Sequence, residues 1–131
     1  MSEAAGAFDL LLAQQQAAER GPRREGAFAL WLLARVAHDL GSGSDELDRA
    51  GRRRLVLLER RLAPLALPRP LARGLTTALA HLQEGTPAAG RIALSQLVAP
   101  ARESLGSDAS EAVARLVRDV HDTQRRVKGE G

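Results

Sequence analysis

No cysteine and no tyrosine occur in this chain of 131 residues, and isoleucine occurs once, at Ile92. The lack of cysteine excludes a disulfide framework, a thiol nucleophile and a cysteine-held metal. With two Phe and one Trp beside that single Ile, the β-branched and aromatic stock that strands prefer is missing. Long hydrophobic runs are absent as well. Uncharged stretches such as Gly26 to Ala34 fall far short of the ~18–20 apolar residues a membrane span needs. Met1 to Gly6 lack the basic start of a secretory signal, so a cytoplasmic location is the default expectation.

What remains is alanine and leucine, 46 positions together, both of which keep most of their side-chain freedom in a helix. The fold class expected is all-α: one helical-bundle domain over residues 1–131, with about five to six antiparallel helices and flexible tails at 1–4 and 128–131. Five breaks divide it. They are Gly21-Pro22, Gly41-Ser42-Gly43-Ser44, the Pro64 to Pro70 link, Gly85-Thr86-Pro87 and Gly106-Ser107-Asp108. Ser44 is placed to cap a helix whose first turn holds Asp45 and Glu46. Thr86 followed by Pro87 reads as an N-cap and a first-turn proline, and Asp108 with Glu111 has capping-box spacing. The segments between are 4–20, 23–40, 45–63, 70–84, 87–105 and 108–127. Pro100 should kink the fifth segment or split it. Short connections favour antiparallel neighbours.

Most of these segments carry a single apolar stripe, such as Leu71, Leu75, Ala78, Leu79 and Leu82 in the fourth. The second is apolar around most of its circumference, and Phe28 and Leu32 project into its narrow wet strip of Arg24, Glu25, Arg35 and Asp39. Such a helix is expected either at the centre of a bundle or at an oligomer surface, with Trp31 buried.

Of the 19 basic residues, 18 are Arg, which is what the codon usage of a GC-rich bacterial genome would give. Their clustering is more informative than their number. Arg49, Arg52, Arg53, Arg54, Arg60 and Arg61 fall within 13 positions, and Arg49, Arg53 and Arg60 lie within roughly 40° on a helical wheel, with Arg52 beside them. Such a line of guanidinium groups suits phosphates or an acidic protein. Asp45, Glu46, Asp48 and Glu59 offset part of its charge, and the segment lacks Asn or Gln for reading base edges.

No catalytic constellation is evident. His38, His81 and His121 offer no pair at i, i+3 or i+4 for a metal, no Glu-x-x-His occurs, and no glycine-rich loop follows a strand. His38-Asp39-Leu40 resembles the start of the motif around the phosphorylated histidine of histidine kinases and phosphotransfer proteins. It departs from that pattern where Gly41 to Ser44 should end the helix within a turn. The resemblance covers three residues and implies a phosphorelay role for His38.

The leading expectation is therefore a non-enzymatic interaction module, an adaptor, subunit or small regulator. It needs no cofactor or metal and no membrane, and it engages a protein partner or a second copy of itself. The expected binding residues are Arg49, Arg52, Arg53, Arg60, Phe28 and Leu32. Two alternatives stand beside it: a nucleic-acid-binding subunit using the third helix, and a phosphotransfer domain using His38.

Overall fold

A computed structural model describes residues 3–18, 22–42, 49–63 and 67–130. Among these residues the chain is all-α, with seven helices and no strand. They are α1 (Glu3–Ala17), α2 (Pro22–Gly41), α3 (Arg49–Leu62), α4 (Arg69–Leu82), α5 (Pro87–Gln96), α6 (Val98–Leu105) and α7 (Ser107–Glu130). The end stretches expected to be flexible are partly helical, since α1 begins at Glu3 and α7 continues to Glu130. Ser44, Asp45, Glu46 and Pro64, to which sequence assigned capping and linking roles, lie outside the described residues.

The breaks have local causes. Thr86 caps α5, its hydroxyl accepting from the Ala89 amide at 3.1 Å, with Pro87 in the first turn. Pro70 sits in the first turn of α4, as its fixed φ favours. The fifth segment divides into α5 and α6, but at Leu97 rather than at Pro100. A proline ring collides with the carbonyl four residues earlier. For Pro100 that residue is Gln96, the last of α5, while Pro100 itself rests in the first turn of α6. Gly106, at φ +100°, ends α6, and α7 starts at once with Ser107. Asp108 therefore lies inside the first turn instead of capping it.

The core is built from leucine, alanine and valine, with Leu30, Leu33, Leu75, Leu94 and Leu116 fully buried. α2 is the central helix: it packs against α1, α3, α4, α5 and α7, most extensively against α5. Two glycine seats allow close crossings. A Cβ on Gly90 of α5 would lie 2.7 Å from the Gly41 nitrogen and 2.8 Å from the Ala37 oxygen, both backbone atoms of α2. A Cβ on Gly74 of α4 would collide with the ring of Pro100 in α6. α3 is attached more lightly, meeting α2 and α4 through Leu55 and Leu58.

Candidate interaction surface

α3 has an inner and an outer side of opposite purpose. Gly51, Leu55 and Leu58 are buried and Leu62 is half-buried, at the i, i+4, i+7, i+11 spacing of one helical face. Half a turn away, Arg49, Arg52, Arg53, Val56, Leu57 and Arg60 line a shallow open groove of about 450 Å³. All six are exposed, and no carboxylate is among them. Arg49, Arg53 and Arg60 form no ion pair among the described residues. The four arginines singled out from sequence thus share one face. Val56 and Leu57, which sequence reading missed, stand in their middle. Spacing alone sets 56 and 57 on the arginine side, three and four residues from Arg53 and Arg60, but leaves open which side of the helix the bundle covers.

Phe28 and Leu32 do not line this groove. Both are half-buried on α2, with Leu32 packed against the core. Phe28 belongs to a second strip that holds both phenylalanines and the tryptophan. Its ring stacks on Trp31, with centroids 6.0 Å apart and planes 28° apart. The Arg61 guanidinium, 3.5 Å from the Glu25 carboxylate, covers Phe28 at 5.9 Å. Arg35 lies 5.7 Å from the Trp31 ring and 6.0 Å from Phe8 of α1. Each such contact at an exposed site contributes about 0.5–1 kcal/mol. Trp31 packs against the core, in keeping with the expectation that it is largely buried, but it is not sealed in the interior as Leu30 and Leu33 of the same helix are.

His38 is set in a clasp between α2 and α7. Its Nε2 lies 2.6 Å from Oδ2 of Asp119, and its Nδ1 is 3.7 Å from the Asp39 carboxylate. The ring, 12% exposed, meets the edge of Phe8 at 5.6 Å. One helical turn further along α7, Gln124 donates to the last carbonyl of α2, that of Gly41, at 2.6 Å. Sequence placed His38 at a helix end, and there it is, but its partner is a carboxylate 81 positions away, which no local pattern reveals. A phosphoryl group at Nε2 would have to displace Asp119, and α2 ends three residues beyond His38. The geometry therefore weighs against a relay histidine.

Burial disfavours the charged ring, but the carboxylates of Asp39 and Asp119 outweigh it and raise the pKa of His38 above the ordinary 6.5. Folding then stabilises the imidazolium. That stability is fully present below pH 6.5 and is lost as pH rises through the raised value. In urea titrations of the wild type, the midpoint should fall as pH rises above 6.5, and in His38→Gln this fall should disappear. A His38→Gln variant keeping the same slope would assign the dependence to other groups.

Among the described residues, no three His, Asp or Glu side chains converge to hold a metal ion, and no helix is long and apolar enough to cross a membrane. In comparisons with known proteins, no family model, curated protein or solved structure matches the chain.

Proposed function

We propose that the protein is a non-enzymatic interaction module that binds an acidic protein partner through the outward face of α3. One observation carries this reading: Arg49, Arg52, Arg53 and Arg60 surround an exposed apolar pair on the side of α3 that faces away from the core. Apolar anchors inside an arginine rim have the composition of a protein interface. Nucleic acid is the competing ligand for the same arginines. The apolar pair counts against it, because phosphates brought to this face would lose water against Val56 and Leu57 without gaining a partner there.

Charge reversal tests the assignment. Glutamates at positions 49 and 53 fall in the N-terminal half of α3, where the helix dipole tolerates negative charge, so Arg49→Glu/Arg53→Glu should retain the fold. The expected result is at least a tenfold loss of affinity for partners captured by the wild type, with slower association where the charges sit at the rim. Unchanged affinity and on-rate for every partner would make the stripe a solvated face.

A further inference from the structure

α3 exposes as many large apolar side chains as it buries. Val56 and Leu57 are 44% and 57% exposed, while Leu55 and Leu58 are 1% and 3% exposed. The helix thus carries an inner apolar stripe and an outer apolar pair on opposite sides, and the bundle covers only the inner one. The exposed residues recur once per turn, as Arg49, then Arg52 and Arg53, then Val56 and Leu57, then Arg60. An occupant that meets this face along its length must repeat at the helical pitch of about 5.4 Å. A second helix does so. An extended strand repeats at about 6.6–6.8 Å on one face and slips by more than ~1 Å at every step.

Charge then selects the chemistry. Among the described residues four guanidinium groups line the groove and no carboxylate does, so the same face of a second copy would be repelled. We infer that the outer face of α3 receives an acidic amphipathic helix from a partner protein, about three to four turns long. The apolar ridge of that helix lies on Val56 and Leu57, and its flanking Asp and Glu side chains face Arg49, Arg53 and Arg60. Bound in this way, α3 becomes a helix packed on both sides. The inference rests on the interaction reading above and specifies the partner's shape.

The test uses a fluorescently labelled helical peptide of about five turns, with leucines in one stripe and glutamates on its flanks. Its comparators are a peptide of the same composition with the leucines scattered, polyglutamate, and single- and double-stranded oligonucleotides, all titrated against the intact protein. The striped peptide should bind at least tenfold more tightly than any comparator. Its affinity should fall at least tenfold in Val56→Ser/Leu57→Ser, and because both sites are exposed, circular dichroism should show the fold unchanged. Equal binding of striped and scattered peptides, or indifference to Val56→Ser/Leu57→Ser, overturns the helical occupant. Tighter binding of an oligonucleotide overturns it in favour of nucleic acid. If no probe binds while Arg49→Glu/Arg53→Glu still releases a captured partner, the helical mode is wrong and the interaction reading stands. If neither experiment responds, both fall.

Discussion

Gly90→Ala should destabilise the bundle by about 3 kcal/mol, an unusual outcome for a change that ordinarily strengthens a helix. Alanine in place of a helical glycine gains about 1 kcal/mol in propensity. At position 90 the added methyl would stand 2.7 Å from the Gly41 nitrogen and 2.8 Å from the Ala37 oxygen. Both are backbone atoms, so no side chain can turn aside and α2 and α5 must separate. Their contact is the most extensive between any two helices, and the Gly41 carbonyl is also where Gln124 anchors α7. The loss should therefore spread beyond one pair. Gly6→Ala in α1 is the control, since its methyl would meet nothing within 4 Å, and a gain of about 0.5–1 kcal/mol is expected. Denaturant unfolding followed by far-ultraviolet circular dichroism measures both. Equal or increased stability in Gly90→Ala would show that the two helices pack less closely than their backbones indicate.

The second large effect reverses the usual order of side-chain size. Leu33→Ala should cost about 3–4 kcal/mol, because Leu33 is fully buried in the central helix and its removal leaves a cavity. Trp31→Ala, two positions earlier, removes a larger side chain but should cost only about 1–2 kcal/mol. The indole is partly buried, so less area returns to water and the void it leaves opens to solvent. Its stacking on Phe28 and its contact with Arg35 add a modest share. The same unfolding experiment ranks the two. A greater loss for Trp31→Ala would place the indole inside the core.

Much of this architecture was legible in the sequence because helices announce themselves locally. The alanine and leucine content, Thr86 before Pro87 and the stripe from Leu71 to Leu82 each specify structure within a few residues. The division of the fifth segment was legible in kind but not in place. Pro100 acts through the carbonyl four residues before it, which moves the break to Leu97. For the site, helical spacing put Arg49, Arg52, Arg53 and Arg60 on one face, and the fold keeps them together. Spacing could not say which side of α3 the bundle would cover, and so Val56 and Leu57 passed as ordinary apolar residues. Nor could it decide between Phe28 as a neighbour of that stripe and Phe28 as a rung beside Trp31, since this depends on how α1 and α3 flank α2. The His38–Asp119 pair lay beyond reach for the same reason.

The placement of the rings also governs how this protein will look to an optical probe. Its only indole and both phenyl groups lie on one outer strip, while the interior is aliphatic. Intrinsic emission therefore tracks the neighbourhood of Arg35 and Phe28 and the edge of the core against which the indole packs, more than the far side of the interior. A denaturant curve recorded by fluorescence would describe the loosening of that strip. If α3 and the outer side of α2 come away before the interior opens, the emission transition will precede the loss of ellipticity, and the gap between the two curves will report the independence of that layer.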